Sequence, residues 1–223
     1  MAYLGREIWL FLTKDKRPSA FYSVSGRSLD SRQRKAVYYP KAGRVAIEPL
    51  DKSKKADTLR HYNAMMFNDY GLLVVSNGLH TEDIFNSPDR STEALRKMLN
   101  KWGPEPDNYH TPRIAGVVDY PQYCLAIITE NKNARSIRVR PKLGMAHGIS
   151  TYSGQGIVPE PFDVNRFTHH TLPNVRIEGT TPEDIAKFFA NKVIDPEFFV
   201  CCASALWYED DEKWKIATLN GNG

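Results

Sequence analysis

The chain has 223 residues, of which 41% are hydrophobic and 25% charged, as is ordinary for a soluble globular protein with a substantial core. Its 30 basic and 26 acidic residues give a net charge of +4 that is dispersed along the sequence. This dispersion argues against a nucleic-acid partner, which usually requires a concentrated basic stripe. The apolar run Ile8–Leu12 is too short for a signal peptide or a membrane span. We therefore expect a cytoplasmic protein with no membrane contact.

The cysteines and histidines do not suggest a metal site. Cys124, Cys201 and Cys202 lie in apolar surroundings, which predicts buried thiols in a reducing compartment. The spacing of the cysteines does not form the pairs typical of zinc sites. Adjacent His169 and His170 would point to opposite sides of an extended chain. We expect no bound metal.

The first half of the chain predicts short strands separated by polar segments. These strands are Ile8–Leu12, Ala20–Ser25, Arg44–Pro49 and Leu72–Val75. The first two should form a hairpin, because the turn-forming segment Lys14–Pro18 joins them.

The loop Gly26–Lys35, which follows the second strand, is rich in arginine and serine. Forked, permanently charged guanidinium groups beside hydroxyl donors are well suited to binding phosphate. An ordinary solvated basic loop would show the same composition, so both interpretations stay open.

Residues 72 to 83 combine a buried strand with reactive side chains. The strand ends at Asn77-Gly78, a pair that turns the chain easily because both residues tolerate positive φ. His80, Thr81 and two carboxylates follow at once. Side chains at the end of a buried strand are held by a rigid backbone, which indicates a functional site. The alternative is a hairpin turn with a polar return strand.

The second half of the chain adds two helices. Ser91 should cap one that ends near Trp102, and Thr181 should cap the other, with Pro182 at its first position and Asp184 completing a capping box. Further strands are predicted over Thr111–Val118, Tyr123–Ile128, Ser136–Arg140, Gly148–Gly154 and Trp214–Thr218. Many strands with two clear helices favour an α+β fold, in one domain spanning residues 1–223.

Two further polar positions stand beside apolar runs. Arg113, at the start of an apolar strand, would be costly to bury without an anionic partner, although an internal salt bridge would also satisfy it. Tyr62 and Asn63 precede another apolar run, where a core tyrosine with a satisfied hydroxyl is the commoner explanation.

Several short motifs occur in a fixed order along almost the whole chain. They are Tyr3-Leu4-Gly5-Arg6, Tyr22 with residues 24–28, Tyr62-Asn63, Val75–Thr81, Thr111–Ala115, Ser150-Thr151-Tyr152 and Trp214–Thr218. Together they resemble the archaeal-type IMP cyclohydrolase family. One departure is that Asp107-Asn108-Tyr109-His110 precedes Thr111, whereas the family pattern leads us to expect an acidic residue nearer the threonine.

This resemblance implies a four-layer αββα sandwich like that of the N-terminal-nucleophile hydrolases. It also implies the last step of purine synthesis, in which 5-formamidoimidazole-4-carboxamide ribotide (FAICAR) closes to IMP and loses water. The carboxamide nitrogen attacks the formyl carbon of the same molecule, so the reaction requires neither a cofactor nor a metal. The expected partner is this small ribotide, and relatives of this kind suggest a homo-oligomer.

The resemblance, combined with side-chain chemistry, gives each candidate residue a role. The substrate-binding candidates are Arg27, Ser28 and Arg32 for the phosphate, together with Asn63, Thr81 and Tyr152. Donors to the charge that grows on the formyl oxygen would be Asn77, Arg113 or Tyr62. The ordinary pKa of histidine makes His80 the best match for moving the proton at neutral pH, although His80 could equally hold a base edge or brace the turn.

Two other functions are compatible with the sequence. A nucleotide-binding paralogue that has lost ring closure would bind IMP without consuming the formyl substrate. A different amidohydrolase could share the fold, because a fold does not fix a function.

Overall fold

A computed structural model describes residues 3–51, 53, 57–131, 133–154 and 159–221. The strands are β1 (Arg6–Leu12), β2 (Pro18–Ser25), β3 (Arg34–Tyr39), β4 (Arg44–Pro49), β5 (Tyr62–Phe67), β6 (Leu72–Ser76), β7 (Arg113–Asp119), β8 (Gln122–Ile128), β9 (Arg135–Val139), β10 (Met145–Ser150), β11 (Asn174–Arg176), β12 (Phe199–Tyr208) and β13 (Lys213–Asn220). The α-helices are α1 (Leu29–Arg32), α2 (His80–Asn86), α3 (Thr92–Trp102) and α4 (Pro182–Lys192), and short 3₁₀ turns span Pro40–Ala42 and Val164–Arg166.

The strands form two sheets, each with antiparallel neighbours. Sheet A has the order β11-β10-β1-β2-β12-β13, and sheet B has the order β3-β4-β5-β6-β7-β8-β9. The fold is therefore mixed α and β, with two antiparallel sheets and few helices.

A large apolar core lies between the inner faces of the two sheets. Successive residues of a strand point to opposite faces, so Ile8 and Leu10 of β1 share the inner face of sheet A. Opposite them, sheet B carries Gly116, where an added Cβ would lie 3.0 Å from the Ile8 side chain and 3.2 Å from that of Leu10. The missing side chain therefore lets the two sheets approach closely at this point.

Helices pack on the outer faces. Phe189 of α4 stacks on Phe21 of sheet A with ring centroids 4.2 Å apart. Leu95 and Leu99 of α3 pack against the outer face of sheet B, where α2 contributes Ile84. Each sheet thus has one face in the central core and the other covered by a helix. No helix in the part of the chain described here is long and apolar enough to cross a membrane.

Several local predictions are confirmed. β1 and β2 form the expected hairpin, with Arg6 opposite Val24. Thr181 and Asp184 make the reciprocal bonds of a capping box at the start of α4. The three cysteines are free and buried.

Other predictions need correction. The chain does not form a hairpin after Asn77-Gly78: α2 begins at His80, where the Thr81 hydroxyl donates to the Gly78 carbonyl and two acidic residues occupy the first turn. The loop Gly26–Lys35 contains α1, which Ser28 caps, and the start of β3. Strand β10 spans Met145–Ser150 rather than Gly148–Gly154, because its first residues pair with the end of β1.

The outer face of sheet A buries one carboxyl group, that of Glu7. Its Oε2 accepts a hydrogen bond from Trp9 Nε1 at 3.1 Å, and its Oε1 accepts one from the Ser23 hydroxyl at 3.3 Å. Burial raises the pKa of Glu7 from its usual 4.5 to about 7, and these two hydrogen bonds only partly oppose the rise.

This pKa difference predicts a pH-dependent stability. Between pH 4.5 and about 7 the unfolded chain releases the Glu7 proton first, so the folded state loses stability as the pH rises. The full loss would be about 3 kcal/mol. We expect Glu7→Gln to remove it, so that the variant gains stability over the wild type more at pH 8 than at pH 5 in urea denaturation. The exposed Glu183→Gln is the control, and parallel pH profiles for all three proteins would contradict the prediction.

Candidate active site

Buried polar side chains gather at one end of the two sheets. Neighbouring antiparallel strands alternate in direction, so this end is formed by the starts of β1, β3, β5 and β7 and by the ends of β2, β6 and β10. The buried polar side chains there include Arg6, Tyr22, Arg34, Tyr62, Asn77, Arg113 and Thr151.

Glu105 lies at the centre of this cluster. It belongs to the loop between α3 and β7 and is only 1% exposed. Its Oε2 accepts a hydrogen bond from Arg6 Nη2 at 3.3 Å, and its Oε1 accepts one from Asn77 Nδ2 at 2.9 Å. Its backbone N–H donates to the Thr111 carbonyl at 2.8 Å. One carboxylate therefore ties an arginine of sheet A to an asparagine at the end of sheet B.

Asn77 orients this carboxylate. Besides Glu105, its amide nitrogen donates to the Pro112 carbonyl at 2.9 Å, and its Oδ1 accepts from the Ile114 backbone N–H at 2.7 Å. The side-chain amide has two hydrogens, and both have protein acceptors. Asn77 therefore holds Glu105 and the start of β7, and the oxyanion role suggested by the sequence stays a prediction.

Three buried guanidinium groups lie in the cluster that contains Glu105, and the half-buried Asp107 carries a second carboxyl group whose charge acts on Arg113. Arg6 is 8% exposed, Arg34 4% and Arg113 6%. Arg6 pairs with Glu105, whereas neither Arg34 nor Arg113 forms an ion pair with a residue that the structure describes. Within the same set of residues, Arg6 Nε, Arg34 Nη1 and Arg113 Nε have no hydrogen-bond partner. Unpaired buried cations and unfilled donors are costly, and an anionic ligand would satisfy both.

The charges in the cluster act on one another. Burial lowers the pKa of Arg34, and the charge of Arg6 lowers it further. Burial also lowers the pKa of Arg113, although Glu105 opposes this. For Glu105 itself, burial raises the pKa despite the opposing charges of Arg6 and Arg113. A carboxyl group with a raised pKa exchanges its proton closer to neutral pH, as a general acid or base must.

Tyr22 of sheet A and Tyr62 of sheet B contact each other between the two sheets. The hydroxyl oxygens of Tyr22 and Tyr62 are 2.7 Å apart in a buried hydrogen bond. Burial, followed by the neighbouring Tyr62, raises the pKa of Tyr22 well above its usual value. The pair uses one of its two hydroxyl hydrogens, so the other can be donated to a third group.

His80 lies at the start of α2, next to Arg113. It is fully buried, and its pKa is lowered to about 3 by burial first and by the charge of Arg113 second. Its Nε2 lies 3.2 Å from the Ile114 carbonyl, which can only accept, so Nε2 carries the hydrogen. A pKa this far below neutrality favours the neutral imidazole at pH 7. The bond to Ile114 agrees with the alternative that His80 braces the turn, and its role in the reaction stays a prediction.

Tyr152 and Arg27 reach the same cluster by stacking and hydrogen bonds. The Tyr152 hydroxyl lies 2.7 Å from the Thr111 hydroxyl, which donates to Asp107 Oδ2 at 2.6 Å. Tyr3 stacks on Tyr152 with centroids 5.5 Å apart, and the Arg27 guanidinium lies 4.8 Å from the Tyr3 ring centroid. Asp107, four residues before Thr111, therefore contacts it through the folded loop.

The other predicted residues bond mainly to the protein around the cluster. Asn63 Nδ2 donates to Glu82 at 2.6 Å, and the Thr81 hydroxyl donates to the Gly78 carbonyl at 2.8 Å. Ser28 is exposed and caps α1. Arg32 is half-buried, and its Nε donates to the Gly26 carbonyl at 3.1 Å. No group of three or more potential metal ligands occurs among the residues described.

Three central residues were not identified as site residues from the sequence: Arg6, Arg34 and Glu105. Arg6 does lie in the first of the short motifs, at the start of β1. The acidic residue was expected nearer to Thr111 than Asp107, whereas Glu105 lies farther away in the sequence, so this expectation did not identify it. Arg34 carried no separate signal, because it is one of several basic residues in a single stretch.

Together, the buried guanidinium groups, the tyrosine pair and the carboxyl with a raised pKa define a protein that can bind a small organic anion and transfer protons on it. The sequence matches the family model described as IMP cyclohydrolase-like protein over residues 3–212. The chain therefore belongs to the IMP cyclohydrolase-like family.

Individual relatives match most of the chain. The IMP cyclohydrolase of Methanococcus aeolicus is 32% identical over 212 residues, which cover 91% of this chain and 94% of that protein. The IMP cyclohydrolase of Methanocaldococcus jannaschii is 31% identical over 218 residues, covering 97% of this chain and 98% of the relative. That of Thermococcus kodakarensis is 35% identical over 123 residues, covering 54% and 58%.

The bonds of Asn77 predict a large effect on stability. Asn77→Ala would leave Glu105 Oε1, the Pro112 carbonyl and the Ile114 N–H without these partners in a buried place. We expect a loss of about 2–3 kcal/mol in the free energy of unfolding, measured by urea denaturation. Asn108→Ala, at an exposed position in the same loop as Glu105, is the matched control. Equal stability of the two variants would show that the Asn77 network contributes little.

Proposed function

We propose that this protein is an IMP cyclohydrolase, which closes FAICAR to IMP and releases water. Its family membership and the names of its relatives support this activity. The structural observation that carries the proposal is the set of three buried guanidinium groups in a cluster whose one buried carboxyl group, among the described residues, is that of Glu105. The substrate is an anion with a phosphate at one end. Because both reacting groups belong to the same molecule, the enzyme has to align them and to transfer protons.

The proposed reaction has two steps. In the first, the carboxamide nitrogen attacks the formyl carbon, loses a proton and forms a ring carbon that carries a hydroxyl group. In the second, the hydroxyl leaves as water, a proton leaves the nitrogen of the former formamido group, and the carbon–nitrogen double bond of the purine forms. Each step removes one proton from nitrogen and delivers one to oxygen. One group that alternates between acid and base can therefore serve both steps.

We assign this proton transfer to Glu105. The raised pKa of its carboxyl favours exchange near neutral pH, and Asn77 fixes its orientation. Arg113, beside Glu105, would stabilise the negative charge that develops on the formyl oxygen, and the free hydroxyl hydrogen of the Tyr22–Tyr62 pair would be a second donor. His80 would brace the start of α2 as a neutral group.

The phosphate would bind where β2 leads into β3. Arg34 is buried at this point with an unfilled Nη1, and the exposed residues Arg27 and Ser28 lie in the same loop. Arg32 would contribute its remaining guanidinium nitrogens, because only its Nε is bonded to Gly26. The lining of the substrate site would also include Asn63, Thr81 and Tyr152.

We further infer that the architecture is a four-layer αββα sandwich like that of the N-terminal-nucleophile hydrolases. The inference is supported by the apolar core between the sheets and by the helices on their outer faces.

The direct test is to incubate the purified protein with FAICAR and follow the ultraviolet absorbance of IMP. We expect turnover in the presence of EDTA, since the proposed chemistry uses only protein side chains. If IMP binds in equilibrium dialysis but none is formed, the chain is a nucleotide-binding paralogue and the proposed activity is excluded.

Glu105→Gln tests the proton carrier. The amide keeps a similar shape but cannot exchange the proton, so we expect kcat to fall by roughly 10²–10⁴-fold while KM changes little. Circular dichroism and thermal unfolding would check the fold, and Glu130→Gln, at an exposed position, is the control. Full activity of the Glu105 variant would remove Glu105 from the mechanism.

Arg34→Gln tests the phosphate site. Loss of a charged hydrogen bond to an anion typically costs about 1.5–3 kcal/mol, so we expect KM to rise roughly 10-fold to 100-fold with a smaller change in kcat. The rise should exceed that of Arg32→Gln, because Arg32 is more exposed and partly engaged by Gly26. Arg96→Gln, on the surface of α3, is the control. If Arg34→Gln leaves KM unchanged, the phosphate lies elsewhere.

A further inference from the structure

The two sheets contact each other along one pair of edge strands, whereas a cavity separates the other pair. On one side, edge strand β3 of sheet B lies against β13 of sheet A, and the Asn220 side chain bonds to both the N–H and the carbonyl of Ala36, at 2.7 and 3.2 Å. On the other side, the edge strands are β9 of sheet B and β11 of sheet A. A cavity of about 660 Å³ lies between these two elements, and we call it the edge groove.

The floor of the edge groove is apolar. Ile137 and Val139 of β9 contribute to it, together with Leu172 from the segment before β11, and all three belong to the core between the sheets. The half-buried Met145 of β10 extends this floor. An apolar surface continuous with the core favours a ligand that covers it with a hydrophobic or aromatic part.

The rim of the edge groove is positively charged. Arg138, Arg140 and Lys142 line it, together with His147 and His169, and none of its described lining residues is acidic. None of the three permanent cations forms an ion pair with a described residue. Arg138 donates one hydrogen bond, to Gln122 Oε1 at 2.7 Å.

The edge groove is separate from the Glu105 cluster. Among its β10 residues, His147 pairs with Leu10 of β1 and Met145 pairs with Arg176 of β11, whereas Arg6 and Ser150 lie at the other end of β1 and β10. The two places therefore occupy opposite ends of sheet A.

We propose that the edge groove is a second ligand site, which binds a nucleoside polyphosphate with its base and sugar on the apolar floor and its phosphates on the cationic rim. Arg140 and Lys142 supply permanent positive charge for the phosphates, whereas the Arg138 guanidinium bonds to Gln122 on the outer face of sheet B. The volume lies within the roughly 300–1,000 Å³ typical of small-molecule sites. A longer polyanion such as RNA would require a basic stripe beyond the groove. This proposal does not depend on the catalytic activity.

The test is isothermal titration calorimetry of the full chain with ATP in 150 mM salt, using two double variants. Arg140→Gln/Lys142→Gln should weaken ATP binding at least 10-fold, and both substituted positions lie outside the buried core, so the fold should be unaffected. Arg96→Gln/Lys97→Gln, two cations on the outer surface of α3, is the matched control and should bind as the wild type does.

Further titrations distinguish binding in the edge groove from binding elsewhere on the protein. The ATP affinity should survive Arg34→Gln; its loss there would place the ligand in the Glu105 cluster and overturn the proposal. Inorganic triphosphate should bind at least 10-fold more weakly than ATP, and equal affinity would contradict the proposed role of the apolar floor. No measurable ATP binding by the wild type, or equal binding by the two double variants, would also overturn it. An acidic peptide that binds more tightly than ATP would make the groove a protein-docking surface instead.

Discussion

The bond between Arg6 and Glu105 is the contact on which the polar end of this protein depends. It joins the first strand of sheet A to the loop that leads into β7 of sheet B, across the end of the core. Because the carboxylate is buried, removing either partner would leave an uncompensated charge, a more costly event than losing a surface salt bridge. Asn77 and the Thr111 carbonyl then fix the position of Glu105 from sheet B.

The surplus of positive charge explains why this end suits binding better than stability. Arg34 and Arg113 are buried without an ion-pair partner among the described residues, and a protein selected for stability alone would gain by replacing them with apolar groups. An anionic substrate would supply the missing negative charge on binding.

Glu7 provides a comparison with Glu105. Its carboxyl group lies on the outer face of sheet A, burial raises its pKa as well, and its hydrogen-bond partners Trp9 and Ser23 are neutral. The two buried carboxyl groups therefore differ in their surroundings: in the described part of the chain, Glu105 has neighbouring guanidinium groups and Glu7 has none.

Much of the local structure could be predicted from the sequence. The β1–β2 hairpin and the caps of α3 and α4 depend on residues close together in the chain, and these predictions hold. The prediction after Gly78 was incomplete, because Asn-Gly signals a turn whether a strand or a helix follows, and α2 is only seven residues long. The motif order also located Tyr62, Asn77, Arg113 and Tyr152, which the fold brings to the same end of the sheets.

The sequence by itself thus determined many of the strands, the caps of the two long helices and the resemblance to the family. These follow from periodicity, capping and motif order, which are local or linear properties. Only the tertiary structure decided that Glu105 lies buried beside Arg6 with a raised pKa, and that His80 is buried with a lowered one. The physical reason is that a pKa depends on burial and on charges that folding brings close. Burial at the start of α2 and the charge of Arg113 lower the pKa of His80 to about 3. The loop after α3 brings Glu105 to Arg6, a residue 99 positions away in sequence, and burial there raises the pKa of Glu105.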